Sequence, residues 1–507
     1  MRPLRFLAIL LALGTAASAG HNVLLIIADD YGIDSQSLYN NAASATLPPT
    51  PNINALAASG VRFTNAYANP VCSPARACLI TGRHGFRTGV GEAVTAVAGN
   101  SLTAAELTLP EVIAQNSALG IQTACFGKWH LSVGPGTPNA PNAIGGWPHY
   151  AGATGGALTS YTNWAKIVDG VPSTSGTYAT TDVVNDAVAW INSRTAGQPW
   201  VAWVAFNAPH TPFHVPPTNL HSYGSTPGSQ RRQYEAMVEA MDTEIGRLLL
   251  AVNAGTTDVI FMGDNGTPGS VIQPPFTGAQ GKDTLYEGGI RVPLIVRGPS
   301  VVAPGRTSSA LVHAVDVFST MLELAAVPLP TTVTLDSRSL KPILQNQTDT
   351  ARTRLYTEQF DQSAATVGGR VLREDRYKLI RNRTGTDEFF DLQTDPYEST
   401  NLFAGGVSAM TAVQQSYYYR LRFDLGRYTT AATPPVTTSG LAAGSFSVTA
   451  AQNAGATQTL WRCTDLPGGF WMPAPGATNS VSGTNITFTD PAPPSGAAFY
   501  SVLAESP

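Results

Sequence analysis

Charge is scarce in this chain: only 13% of its 507 residues are Asp, Glu, Lys or Arg, and the formal net charge is −4. No basic tract longer than two or three residues occurs, so the electrostatic footprint of a nucleic-acid-binding protein is absent. Cysteine is scarcer still. Cys72, Cys78, Cys125 and Cys463 are too few for a disulfide framework; Cys78 and Cys125 read as buried thiols, and no pairing is assigned. No long apolar run follows the amino-terminal region, so no transmembrane anchor is expected. Glycine and proline, by contrast, are plentiful at 48 and 37 residues, which suggests many loops around a well-buried core.

The first residues have the layout of a secretory signal peptide: Arg2 and Arg5, an apolar run from Phe6 to Leu13, then Ala17-Ser18-Ala19. The run is shorter than the ~20 residues needed to cross a bilayer. Cleavage after Ala19 and export, to a periplasm or the outside, are expected.

His21 to Ala28 reads as a strand buried on both faces, because its apolar residues run without alternation. It ends at Asp29-Asp30. Two adjacent carboxylates at the carboxyl end of a buried strand sit where open α/β sheets place ligands, and a cation between them is the simplest relief of their repulsion. A turn-forming Asp pair is the structural alternative. Further strands are expected at Val61–Tyr67, Ile121–Phe126, Trp200–Phe206, Thr257–Met262 and Ile290–Val296. Helices are expected after Thr50-Pro51 and Thr108-Pro110, over Thr181–Ser193, and along the Tyr234–Leu249 stripe. Alternating strands and helices, with polar residues at the strand ends, predict an α/β sandwich. From Leu131 to about Tyr178 the pattern is irregular; Trp147, His149, Tyr150, Tyr161 and Trp164 there either line a substrate cleft or pin the loop by packing.

Beyond Thr350 short strands and a helix near Val407–Arg427 predict a small antiparallel sheet with one covering helix. Thr429–Gly440 then reads as a linker, and the rest as a small all-β module. The expected organisation is a signal peptide (1–19), an α/β domain (20–350), a subdomain (351–428), a linker (429–440) and a β module (441–507). A chain stopped near Thr430 is expected to fold and keep its small-substrate chemistry.

The string Cys72-Ser73-Pro74-Ala75-Arg76, continued by Thr81-Gly82-Arg83, carries the most chemistry. Pro74 is suited to the first turn of a helix, which puts Cys72 at a helix N-terminus, where the dipole favours an anion. Arg76, one turn on, adds positive charge. A buried Cys before an ordinary helix is the plain alternative. The string resembles the C-x-P-x-R signature of secreted type I sulfatases of the alkaline phosphatase superfamily. Asp29-Asp30, Gly127-Lys128-Trp129-His130, Pro209-His210, Asp264-Asn265-Gly266 and Leu285-Tyr286-Glu287-Gly288-Gly289 extend the likeness over roughly Asn22 to Leu402.

The resemblance implies a central mixed sheet between helices and a small carboxy-terminal antiparallel sheet. It implies that a formylglycine-generating maturation enzyme oxidises Cys72 to formylglycine, whose hydrate is the nucleophile. Asp29, Asp30, Asp264 and Asn265 would bind one divalent cation, usually Ca²⁺, together with the group made from Cys72; these hard oxygen ligands suit Ca²⁺. Arg76 would stabilise the nucleophile's oxygen, and Lys128 and Lys282 would bind the sulfate ester. His210 matches the general acid, and His130 the group that helps eliminate sulfate. Ala75 and Gly263 depart from the family's usual residues without touching the metal set. An aryl or carbohydrate sulfate ester is the expected substrate. A phosphonate or phosphate ester hydrolase of the same superfamily, or a non-catalytic binder with Cys72 unmodified, are the alternatives.

Overall fold

The computed structural model describes residues 20–95, 100–133, 137–361, 367–428, 436–442, 444–453, 456–463, 471–494 and 498–505. The expected signal peptide and the first part of the expected linker, residues 429–435, lie outside these ranges. No helix among the described residues is long and apolar enough to cross a membrane.

Ten strands make one mixed sheet: β1 (Asn22–Ala28), β2 (Gly60–Tyr67), β3 (Gln122–Lys128), β4 (Tyr150–Ala153), β5 (Trp164–Val168), β6 (Val171–Ser175), β7 (Trp200–Ala205), β8 (Thr257–Gly263), β9 (Leu294–Arg297) and β10 (Arg306–His313). Their spatial order is β10-β2-β9-β8-β1-β7-β3-β4-β5-β6. β1 runs parallel to β7 and β8, and β3 parallel to β7, while β9 is antiparallel to both β8 and β2. β2, β8, β1, β7 and β3 therefore point the same way, and the segments that follow them emerge at one edge. That edge carries the chemistry.

The unbroken apolar run of β1 reflects burial on both faces. Leu24, Ile26 and Ala28 pack with Ile53, Val184, Tyr234 and Met237 from helices Pro51–Ala58, Ala179–Asn192 and Gln230–Leu250. Val23, Leu25 and Ile27 pack with Ala75, Leu79, Val112 and Phe318 from helices Cys72–Thr81, Leu109–Gln115 and Asp316–Leu324. Val23 to Ala28 are all 0% exposed, and each large side chain so buried contributes roughly 1.5–3 kcal/mol.

A second, antiparallel sheet follows, ordered β11 (Leu355–Phe360), β12 (Val367–Arg373), β13 (Tyr377–Arg381) and β14 (Asp387–Asp391). Helix Ala412–Leu425 covers one face through Tyr418, Leu421 and Leu425; the other face packs Leu355, Val371 and Ile380 against Tyr67, Leu285 and Ile290 of the main body. Two further antiparallel sheets, of four and three strands, lie among the described residues from 436 on and share a core of Val448, Leu460, Ile486, Phe488 and Val502.

Three expectations need correction. Residues 131–178 contain β4, β5 and β6, which extend one margin of the main sheet. The strand expected from Ile290 begins only at Leu294: Glu287–Ile290 is a helical turn, and Pro293, lacking an N–H, cannot donate to a ladder, though its carbonyl accepts from Gly263 N. Residues 436–440, expected within the linker, belong to a strand Val436–Ala442 paired with Ser445–Ala451.

Candidate active site

Helix Cys72–Thr81 begins at Cys72 itself, with Val71 as N-cap, and all ten of its residues are buried. It stops at Gly82, whose φ of 68° is the left-handed conformation that glycine adopts without steric cost. Ser73 ties this helix to its surroundings: its Oγ donates to the His130 carbonyl at 2.8 Å and accepts from Val94 N at 2.9 Å.

Around Cys72 the four parallel strands β8, β1, β7 and β3 deliver Asp264-Asn265, Asp29-Asp30, the Asn207–His210 turn and Lys128. Arg76 donates through Nε and Nη2 to Asp264 Oδ2 (3.1 and 2.7 Å) and through Nη1 to the Lys128 carbonyl (2.9 Å). Lys128 Nζ bonds Asp29 Oδ2 at 2.6 Å. Lys282, from the segment between β8 and β9, bonds Asp30 Oδ1 at 2.6 Å and lies 3.7 Å from Cys72 Sγ. His210 Nε2 is 3.7 Å from Asp30 Oδ2. Asn265 Nδ2 donates to Asp30 Oδ1 at 2.8 Å, and Asp30 N to Asp264 Oδ1 at 3.1 Å, holding Asp30 at φ 65°. All ten residues singled out in the sequence lie in this one cluster or, for His130, directly against it.

The electrostatics follow from crowding. Burial alone would raise the Asp29 carboxyl, but the Lys128 ammonium, with His210, Arg76 and Lys282, holds it well below the usual range. Asp264 goes the other way: burial and the neighbouring Asp29 charge push it up to about 6 against the pull of Arg76. Burial would also discharge Lys282, yet the Asp30 carboxylate keeps its ammonium well above its ordinary value. Burial pushes the Cys72 thiol up to about 12, so the unmodified side chain keeps its proton at neutral pH.

Among the described residues of this cluster, two buried oxygens have no hydrogen-bond partner: Asn265 Oδ1 and Asp29 Oδ1, the latter 3.8 Å from Arg76 Nη2. Asp29, Cys72 and Asp264 each place a ligand atom within 4.8 Å of the other two, as do Asp30, Cys72 and His210. Hard oxygen donors around an unfilled coordination need are what a divalent cation such as Ca²⁺ takes.

His130 stands at φ 53°, its Nε2 3.2 Å from the Val94 carbonyl. A carbonyl only accepts, so Nε2 carries the proton and Nδ1, buried without a partner, keeps its lone pair. Burial, reinforced by Lys128 and Arg76, holds the ring's pKa well below its ordinary value, so it is neutral. His210 is oriented in the same manner, with Nδ1 2.9 Å from the Thr211 carbonyl.

The aromatic residues offered as cleft-lining candidates serve the packing instead. Trp147, Tyr150 and Trp164 are buried in the two cores, and His149 pairs with Asp169. Tyr161 does more: its hydroxyl lies 2.6 and 2.8 Å from the carbonyls of Asn207 and His210, bracing the turn that carries His210. Sequence reasoning missed this role because the contact is to backbone. A second cluster, Cys78, His84 and His313, lies within 4.8 Å of itself. There Val315 N donates to His313 Nδ1, which fixes the proton on Nε2 and leaves that ring no lone pair for a metal.

A family model described as Sulfatase matches residues 21–327, and one described as N-sulphoglucosamine sulphohydrolase, C-terminal, matches residues 277–422. Arylsulfatase A of Bos taurus is 30% identical over 492 residues, spanning 84% of this chain and 92% of that protein. N-acetylgalactosamine-6-sulfatase of Sus scrofa is 29% identical over 389 residues, 70% of this chain and 72% of that one. Among solved structures, Ps i-CgsB in complex with k-i-k-neocarrahexaose aligns with a TM-score of 0.67 at 23% identity, covering 80% of this chain and 91% of that chain. The PsFucS1 sulfatase from Pseudoalteromonas sp. aligns with a TM-score of 0.64 at 22% identity, covering 82% and 92%. These two share the fold. With a family model matching more than half of its length, the chain belongs to the sulfatase family, as a type I sulfatase of the alkaline phosphatase superfamily, and is an enzyme of sulfate ester hydrolysis.

Proposed function

We propose that this sulfatase works through a formylglycine made from Cys72 and one divalent cation, Ca²⁺, releasing sulfate from an aryl or carbohydrate ester. The observation that carries the reading is the setting of Cys72 Sγ: at the first residue of a buried helix, 3.7 Å from Lys282 Nζ and within 4.8 Å of carboxylate oxygens of Asp29 and Asp264. A thiol held up at about 12 is a poor nucleophile by itself, which favours a converted side chain. Formylglycine supplies, as its hydrate, one hydroxyl to attack sulfur and a second whose deprotonation expels sulfate, and the cation supplies Lewis-acid polarisation.

The fit for the cation rests on the donor set. Asp29, Asp30, Asp264 and Asn265 offer only oxygen, and Asn265 Nδ2 is committed to Asp30 and the Gly266 carbonyl, which leaves Oδ1 for a metal. Arg76, locked on Asp264, holds a fixed positive charge beside the nucleophile position. Lys282 and Lys128 present ammonium groups to sulfate oxygens, where charge builds during transfer. His210, its Nδ1–H given to the Thr211 carbonyl, holds Nε2 in the cluster 3.7 Å from Asp30 Oδ2; in its imidazolium form Nε2 also carries a proton, which it donates to the leaving oxygen. His130, neutral with a free Nδ1 lone pair, is the proton acceptor for the elimination step.

Conversion by a formylglycine-generating enzyme and export behind residues 1–19 belong to the same proposal, supported by the Cys72 string and the amino-terminal pattern. Mass spectrometry of the Cys72 peptide from active protein tests it: an aldehyde or its hydrate replaces the thiol. Cys72→Ser, with one hydroxyl and no second, releases at most one slow equivalent from an aryl sulfate and ends as a sulfated serine. Repeated turnover by that variant near the wild-type rate would overturn the mechanism.

A further inference from the structure

Next to Lys282 stands a residue the chemistry above does not use. Asp283 has φ 69°, a left-handed conformation that glycine adopts without steric cost and a side chain does not. Its carboxylate is nevertheless 57% exposed and faces Arg383, on the turn between β13 and β14, at 3.7 Å from Nη2. Gln359, on β11, donates from Nε2 both to Asp283 Oδ1 and to Glu92 Oε2, and Arg383 Nη2 reaches Glu92 Oε2 at 3.3 Å. Glu92 lies two residues before Val94, whose carbonyl holds His130. Two chain segments next to sulfate-handling groups, one following Lys282 and one leading to Val94, thus converge on the Arg383 guanidinium.

We infer that Asp283 and Arg383 form the subsite for the leaving group and read vicinal hydroxyls of a sugar, making the preferred substrate a carbohydrate sulfate rather than an aryl sulfate. This rests on the sulfate-ester reading of the Cys72 site. The pair is wider than a hydrogen bond, so the carboxylate keeps acceptor capacity and the 38%-exposed guanidinium keeps donors. A hydroxyl both donates and accepts, and neighbouring hydroxyls on a ring satisfy the two groups together; an unsubstituted aryl ring offers neither. Arg383 and Gln359, the two residues that contact Asp283, line a cavity of about 250 Å³ together with Leu285, Tyr286, Ile380 and Glu388; Asp283 itself is not part of its lining. That is smaller than the ~300–1,000 Å³ of sites for drug-sized ligands, and suits a single ring.

The test compares kcat/KM for 4-nitrophenyl sulfate with a panel of mono-O-sulfated hexoses and N-acetylhexosamines, using protein whose Cys72 conversion has been verified. Asp283→Gly removes the carboxylate and relieves the left-handed backbone, so misfolding does not explain its effect. Asp283→Asn keeps the shape and loses the charge. Arg383→Ala removes the partner. Each variant is expected to lower the carbohydrate-to-aryl ratio of kcat/KM by about tenfold or more, the loss of a hydrogen bond to a charged group. A ratio within about twofold of wild type in Asp283→Gly and Arg383→Ala overturns the subsite. Wild-type turnover of the aryl ester with none of the sugar sulfates also overturns it while sulfate-ester hydrolysis stands. No turnover of either class by converted enzyme overturns both readings.

Discussion

Stopping the chain after residue 430 is a sharper perturbation than the linker-like sequence implies, because the last β sheets are docked on the sulfatase body. Phe423, on helix Ala412–Leu425, is 6% exposed; it stacks flat on Trp471 (4.7 Å between centroids, 4°) and meets Trp461 edge-on at 5.4 Å, with Leu503 completing the cluster. Truncation returns that ring to water. Losing its burial costs roughly 1.5–3 kcal/mol, and losing the aromatic pairing roughly 0.5–1.5 kcal/mol more. The helix itself stays, since Tyr418, Leu421 and Leu425 pack on the β11–β14 sheet, and Tyr428, stacked on Tyr356 at 4.2 Å, is retained. Spread over a body of this size, the loss lowers the melting temperature by roughly 2–5 °C. Differential scanning calorimetry of the full and shortened chains, paired with aryl sulfate turnover, measures both terms. Adding Phe423→Ser to the shortened chain removes the exposed ring and improves its solubility. Equal melting temperatures would refute the docking argument, and loss of turnover in a folded, shortened chain would mean that the last sheets contribute to the site.

Two other outcomes follow from the geometry. Chelation abolishes activity and Ca²⁺ restores it better than Zn²⁺, while Asp264→Ala, which also strips Arg76 of its partner, lowers metal content measured by plasma emission as well as rate; full activity in metal-free protein would sink the cation assignment. Burial pushes the Glu358 carboxyl from its ordinary 4.5 up to about 7, against bonds from Tyr356 Oη and Phe86 N, so the folded protein holds a proton that the unfolded chain has released. That contribution is full below about pH 4.5 and lost as pH rises through 7, about 3 kcal/mol in all at 1.36 kcal/mol per pH unit; Glu358→Gln should flatten the decline in urea-unfolding stability over this range, and an unchanged slope counts against it.

What could be read from the sequence was what burial and backbone geometry write into composition. β1 announces itself because six successive apolar residues are needed where both faces are covered, and Asp29-Asp30 stand out because nothing apolar explains charge at that point. β5 and β6 did not stand out. β6, Val171–Ser175, lies at the sheet's margin with almost every side chain in water, so no burial constrains its pattern, and β4 carries Ala and Gly where neighbours come close. The bracing of His210 by Tyr161 and of His130 by Val94 was equally hidden, since a backbone carbonyl as partner leaves no trace in residue type. Asp283 was legible only as an ordinary acid beside a lysine. Its meaning lies in a positive φ and in an arginine a hundred residues away in the chain, and sequence order shows neither.

The charge arrangement links these pieces. Asp29, Asp30 and Asp264 face Lys128, Lys282 and Arg76, each acid with a cation of its own, so the buried core of the site is close to neutral as it stands. A divalent cation brought to the orphaned oxygens of Asp29 and Asn265 would make it net positive by about two. Buried excess charge is costly unless it is met, and a sulfate monoester meets half of it on binding. The released sulfate dianion meets it fully, which favours the later, more highly charged species over the substrate. Stabilisation that grows along the reaction accelerates it, but it also holds product. Within this arrangement, the reach of Asp283 and Arg383 bears on which alcohol is carried in and has little leverage on sulfate release. Specificity and turnover are therefore written in different residues, and substitutions at that pair and at the lysines should separate them kinetically.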